Sequence, residues 1–165
     1  MPLDIATGST CFVDANILYY CIVDTPSVSE PSRTFIARVE RSEIVAHTTM
    51  HVLADVVHKT MMAEIALRFR KSRSGLIGWL KKHPEALAHL PVTNEAAARL
   101  RRLPLRLLSV EPTLLPDVVR LAEAHQLLTN DAIIAATMKQ CGLVHLVTND
   151  DGFDRVPDLT IWKPR

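Results

Sequence analysis

The chain has 165 residues, 48% of them hydrophobic, with 19 Lys+Arg set against 18 Asp+Glu for a net charge of +1. That length suits one domain with a sizeable core, and high apolar content with nearly cancelled charge excludes an intrinsically disordered chain. Cys11, Cys21 and Cys141 are an odd set with no Cys-x-x-Cys pair, which suggests neither a disulfide framework nor a thiolate zinc site.

No apolar run approaches the roughly 20 residues that cross a bilayer. Met1 to Thr10 lacks the basic start and apolar stretch of a signal peptide. No membrane association and a reducing, cytoplasmic setting are therefore expected.

In chain order, Thr10 to Val13 is a short β-prone run that stops at Asp14, and Ala15 to Cys21 has helical apolar spacing. Thr25 to Ser32 reads as a turn, Arg33 to Glu40 as a helix and Ile44 to Ala46 as a buried strand. Thr49 to about Arg70 is the longest helical pattern, with Val52, Leu53, Val56, Val57, Met61 and Ile65 recurring near three and four. Short helical pieces follow at Leu76 to Leu80 and Glu85 to Leu90, then Asn94 to Leu103 with Thr93 as the expected cap. Leu105 to Val110 predicts a strand, Leu114 to His125 an amphipathic helix, and Thr129 to Gln140 a helix closing at Gly142. Leu143 to Val147 is a strongly apolar strand, and Leu159 to Trp162 a last edge strand. Short apolar strands alternating with helices predict an α/β protein: a three-layer α/β/α sandwich with a short parallel sheet, residues 1–165 forming one domain.

Open parallel sheets bind ligands beyond the carboxyl ends of their strands, and carboxylates stand at those places. Asp14 ends the first strand, Asp150 follows the late one, Asp131 opens the helix before it, and Asp55 lies on the long helix. Converging carboxylates repel one another and are costly to desolvate without a counter-ion. Oxygen donors suit Mg²⁺ or Mn²⁺, so metal-assisted phosphodiester hydrolysis is the chemistry such a cluster supports.

The run Phe12-Val13-Asp14-Ala15-Asn16-Ile17-Leu18 resembles the opening motif of PIN-domain ribonucleases. Asn130-Asp131-Ala132-Ile133-Ile134-Ala135-Ala136-Thr137 resembles their third motif, and Leu146-Val147-Thr148-Asn149-Asp150-Asp151-Gly152-Phe153 their fourth. The resemblance, which extends from residue 11 to 162, implies a PIN-like fold with Asp14, Asp131 and Asp150 as metal ligands and Asn16 and Thr148 holding the site. Where that family normally has a glutamate, the matching phrase ends at Asp55. Being one methylene shorter, Asp55 is expected to reach a metal through water. Asp151 is expected either to cap a turn or to serve as a spare carboxylate. PIN toxins of the VapC type commonly dimerise and are bound by a small antitoxin, so both partners are expected, with Leu76 to Leu80 as the exposed apolar patch.

His51, Asp55 and His58, at i, i+4 and i+7, share one helix face and offer an alternative zinc site. Asp14-Ala15-Asn16 and Asn149-Asp150-Asp151 bear a superficial likeness to haloacid-dehalogenase phosphohydrolases, but Asn16 stands where those enzymes need a second acid. Glycine-rich phosphate loops and a recognisable serine or cysteine nucleophile motif are missing. The expected function is a metal-dependent endoribonuclease, the toxin of a toxin–antitoxin pair; the alternative is a catalytically weak or inactive PIN-like RNA-binding or scaffold protein.

The net charge of +1 conceals a segregation. From Val56 to Val110 there are eleven basic residues against three acidic ones, a net +8, which leaves −7 in the remainder. Arg68, Arg70, Lys71 and Arg73 form its densest cluster and are the expected RNA-binding residues.

Overall fold

A computed structural model describes residues 1–164. Its elements are β1 (Thr10–Val13), α1 (Ala15–Ile22), α2 (Ser29–Glu40), β2 (Val45–Thr49), α3 (Met50–Arg68), α4 (Leu76–Leu80), α5 (Pro91–Arg102), β3 (Arg106–Leu108), α6 (Leu115–His125), α7 (Thr129–Gln140), β4 (His145–Val147) and β5 (Thr160–Trp162). All strand pairs are parallel, in the order β3-β2-β1-β4-β5. The chain thus steps outward from β1 to β3, then crosses back to lay β4 on the other side of β1. Right-handed crossovers put connections of opposite direction on opposite faces of the sheet, giving the expected α/β/α layering.

Burial agrees with that layering. Successive strand residues point to opposite faces, yet Cys11, Phe12 and Val13 of β1 and Leu146 and Val147 of β4 are all fully buried. The same core takes Ile17 and Leu18 from α1, Phe35 and Ile36 from α2, Val52 and Val56 from α3, and Ile134 and Met138 from α7. A second cluster joins α6 to α7 through Val118, Leu121, Ala132 and Ala135. Among the described residues, no helix is long and apolar enough to cross a membrane.

Several boundaries differ from the expectation for local physical reasons. α2 starts at Ser29, four residues ahead of the expected Arg33, because Pro31 falls in the first turn, where its missing N–H has no helical partner to lose. α3 stops at Arg68: Arg70 turns left-handed at φ 51°, and the Lys71 amide then closes on the Ala66 carbonyl. The piece expected over Glu85 to Leu90 is a 3-10 turn, Pro84–Leu87.

α5 begins at Pro91, not Asn94, so Thr93 lies inside the helix instead of capping it. The cap comes from another helix: the Glu64 carboxylate accepts from the amides of Val92 and Thr93 and from the Thr93 hydroxyl, at 3.1, 2.8 and 2.7 Å. The apolar segment expected as an exposed patch, Leu76 to Leu80, also turns inward. Leu76 is buried with Ile65 and Ala86, while Trp79 packs on this cluster and stacks on His83 at 4.5 Å; Ile77 and Gly78 stay exposed.

Candidate active site

The sheet's order reverses between β1 and β4, and their paired ends, Val13 beside Val147, carry the two following residues to one place. Asp14 caps α1 there, its Oδ1 accepting from the Ala15 amide at 2.6 Å. Its Oδ2 accepts from the Asn16 side-chain amide at 2.6 Å and from the Thr148 hydroxyl at 2.7 Å. That hydroxyl also accepts from Asn16 Nδ2 and from the Asp150 amide, both at 3.0 Å, so its one donor and two acceptor positions are all used. Asn16 Oδ1 accepts from the Asn149 amide at 3.0 Å. The start of α1 and the end of β4 are laced together around one buried carboxylate.

Asp14, Asp55, Asp131 and Asp150 line a single cavity of about 480 Å³, together with His51 and Lys59. The four carboxylates come from the end of β1, the second turn of α3, the first turn of α7 and the loop after β4. Burial pushes the Asp14 carboxyl above the ordinary aspartate value against the hydrogen bonds from Thr148 and Ala15, with Asp150 adding repulsion. Burial followed by the charges of Asp150 and Asp14 pushes Asp131 up to about 6. The Lys59 charge opposes both shifts.

The remaining expected residues are placed as follows. Asp150 accepts from the Gly152 amide at 2.6 Å, which holds its carboxylate in a tight turn. Asp151, expected as the spare carboxylate, pairs instead with Lys163 at 2.6 Å, as does Asp154, and this buried lysine ties the turn after Asp150 to the end of β5. Asp55 Oδ2 lies 2.7 Å from Lys59 Nζ, an i,i+4 pair.

The zinc alternative does not assemble. His51 Nδ1 meets the Thr49 hydroxyl at 2.8 Å and its Nε2 is buried without a hydrogen-bond partner, while exposed His58 lines a different cavity. No three His, Cys, Asp or Glu groups among the described residues converge on a point that could hold an ion.

Of the basic cluster, Arg68 donates to the Ala88 and His89 carbonyls at 3.1 and 2.9 Å, Lys71 sits 5.2 Å over Trp79, and Arg70 is exposed. Arg73 reaches a cavity beside the acidic one, where its Nη2 donates to the Tyr19 hydroxyl at 3.3 Å. Lys59 was absent from the expected site, although its i+4 spacing from Asp55 was the signal that would have found it.

No curated protein sequence matches the chain significantly. Among solved structures the chain is similar in fold to VapC20 of Mycobacterium tuberculosis, a sarcin-ricin loop cleaving toxin, with 16% identity, a TM-score of 0.59, and 89% of this chain and 95% of that chain covered. It is similar to VapBC2 from Rickettsia felis bound to a DNA fragment from its promoter, with 16% identity, a TM-score of 0.56, and 93% and 98% covered. It is similar again to a toxin–antitoxin complex from Klebsiella pneumoniae, with 16% identity, a TM-score of 0.56, and 94% and 98% covered. At such identities the likeness is one of fold, but the sequence profile of the PIN domain matches residues 11–159. The chain belongs to the PIN domain family.

Proposed function

We propose that this protein is an Mg²⁺- or Mn²⁺-dependent endoribonuclease acting in the cytoplasm as the toxin of a toxin–antitoxin pair. The observation that carries this reading is four aspartates from four separate elements lining one cavity at the strand-order switch of a PIN-family chain. The nature of the structural neighbours supports it: one is a sarcin-ricin loop cleaving toxin and another a toxin–antitoxin complex.

The donor set fits a hard cation. All four groups are carboxylates, and two are held above the ordinary range by burial and mutual repulsion, which a bound cation relieves. Because no three of them converge on a point, one or two of Asp14, Asp131 and Asp150 would ligate directly, with water and substrate phosphate completing the shell, as Mg²⁺ prefers. When bound, such an ion lowers the pKa of a water and neutralises charge on the phosphodiester during in-line attack.

The protein's own part is positioning. Asn16 and Thr148 fix the Asp14 carboxylate, and the Gly152 amide fixes that of Asp150.

A small antitoxin and a second copy of the chain are the partners of this reading. With Leu76 and Trp79 packed inward, an apolar surface open to them is the groove between α3, α5 and β3. It is lined by Met50, Leu53, Val57, Leu100 and Leu107, of which Met50 and Leu107 are exposed.

The test is cleavage of structured and single-stranded RNA by purified protein with Mn²⁺. Cleavage that Asp14→Asn abolishes, with calorimetric Mn²⁺ binding lost in the same variant, supports the reading. The second reading, an RNA-binding PIN-like protein without cleavage, draws on the pairing of Asp55 with Lys59, which leaves that carboxylate already engaged. RNA binding by the wild type with no cleavage and no Mn²⁺ site would establish it.

A further inference from the structure

The acidic cavity shares a wall with a second cavity of about 580 Å³, within the ~300–1,000 Å³ of typical ligand pockets. Asn16 and Lys59 line both. Beyond that wall the chemistry changes: Tyr19, Tyr20, His58 and Arg73 line the cavity beside a single carboxylate, Asp24, which is paired with Arg33 at 3.0 Å. The Tyr20 hydroxyl accepts from Asn149 Nδ2 at 3.2 Å, so this cavity is tied to the β4 loop that carries Asp150.

Lys59 occupies the junction. Its side chain is 45% exposed and that of its partner Asp55 32%, and ion pairs open to water contribute only about 0–1 kcal/mol. Exchanging Asp55 for another anion is therefore nearly free. Any RNA phosphate approaching the acidic cavity meets four carboxylates, and among the described residues the Lys59 ammonium is the one cationic group lining that cavity.

We propose that Lys59 is a phosphate-binding residue of this site. Held by Asp55 at the junction in the free protein, its ammonium contacts the phosphate that links a nucleotide at the acidic cavity to the next one, seated against Tyr19, Tyr20, His58 and Arg73. Asp55 is the positioning residue that holds this ammonium, not an ion ligand. The assignment rests on the ribonuclease reading, since it takes single-stranded RNA as the ligand.

The experiment measures binding of a labelled single-stranded RNA over a salt series in EDTA, and cleavage with Mn²⁺, for wild type, Lys59→Met, Lys59→Arg and Asp55→Asn. Lys59→Met should flatten the slope of log affinity against log salt by about 0.7, the loss of one phosphate contact on a single strand. It should also lower cleavage at least about tenfold, while Lys59→Arg keeps most of both. Asp55→Asn should retain calorimetric Mn²⁺ binding and the wild-type salt slope, with reduced cleavage.

A wild-type slope and wild-type cleavage in Lys59→Met overturns the proposal. So does tighter RNA binding in that variant, or loss of Mn²⁺ binding in Asp55→Asn, either of which would make Lys59 a mere counter-ion. A wild type that neither binds nor cuts RNA instead overturns the ribonuclease reading, and the proposal with it. Because Lys59 is exposed, Lys59→Met should melt with the wild type, so altered binding reports the contact and not the fold.

Discussion

At the carboxyl ends of β1 and β4, charge is concentrated and poorly compensated; in the third of the chain from Val56 to Val110 it is abundant and several of its members are engaged. Asp14 is 8% exposed with its carboxyl pushed above the ordinary range, and Asp131 follows it. In the basic segment, Arg68 fastens the Ala88 and His89 carbonyls, Lys71 lies over Trp79, Arg99 donates to the Cys21 carbonyl at 3.0 Å, and Arg102 pairs with Glu95. Strained charge marks a place that needs something bound. Satisfied charge marks architecture, even where its count suggests a polyanion site.

That contrast can be broken most sharply at Thr148. Thr148→Val keeps the shape but strips the hydroxyl that serves Asp14, Asn16 and Asp150. With hydrogen bonds to a buried charge contributing about 1.5–3 kcal/mol each, a loss of about 3 kcal/mol in chemical denaturation is expected. A loss below about 0.5 kcal/mol would mean that the polar knot does not organise this end of the sheet.

Gly152→Ala separates geometry from stability. A Cβ there would stand 2.9 Å from Asp150 Oδ1, so the carboxylate must move. A misplacement of about 1 Å can lower cleavage by up to ~100-fold, while the melting temperature should change little. Unchanged cleavage kinetics would remove Asp150 from the working site.

Asp131 offers a pH signature in the absence of divalent cations. Its carboxyl is raised in the folded protein from 3.8 to about 6, so between those values the folded state binds more protons than the unfolded one. Its contribution to stability is full below about pH 4 and is lost as pH rises through about 6. Because the group is half-buried, solvent screening reduces the effect to about 1 kcal/mol. Asp131→Asn should abolish that decline in a pH series of denaturant midpoints, and added Mn²⁺ should reverse it in the wild type. A decline unchanged in Asp131→Asn would place its origin elsewhere.

The smallest effect tests the basic segment itself. Arg73→Ala should weaken RNA binding and its salt dependence by about one phosphate contact, whereas Arg68→Ala should lower stability by about 0.5–1.5 kcal/mol and leave RNA affinity nearly unchanged. Equal effects on RNA binding would restore the whole cluster from Arg68 to Arg73 as a polyanion surface.

Much of this was legible without coordinates. Apolar runs of three to five residues stopping at Asp14, His47 and Thr148 announced a parallel sheet buried on both faces, and the PIN-like motifs placed three carboxylates at its carboxyl end. Local patterning failed where the deciding partner was distant in sequence. Nothing near Thr93 reveals that Glu64 caps α5 from another helix, and nothing near Leu76 reveals that Ile65 and Ala86 cover it.

The sequence by itself determined the α/β alternation and which aspartates stand at strand ends, because hydrophobic period and capping chemistry are local properties of the chain. Tertiary structure alone decided which charges remain available. Asp151 is taken by Lys163 and Arg68 by loop carbonyls, while Arg73 and Lys59 reach the cavities. A charge's availability depends on the groups that surround it, and those are set only when helices and strands distant in sequence have packed. The near-zero net charge therefore reports a sum, and the fold decides which of its members are free to act.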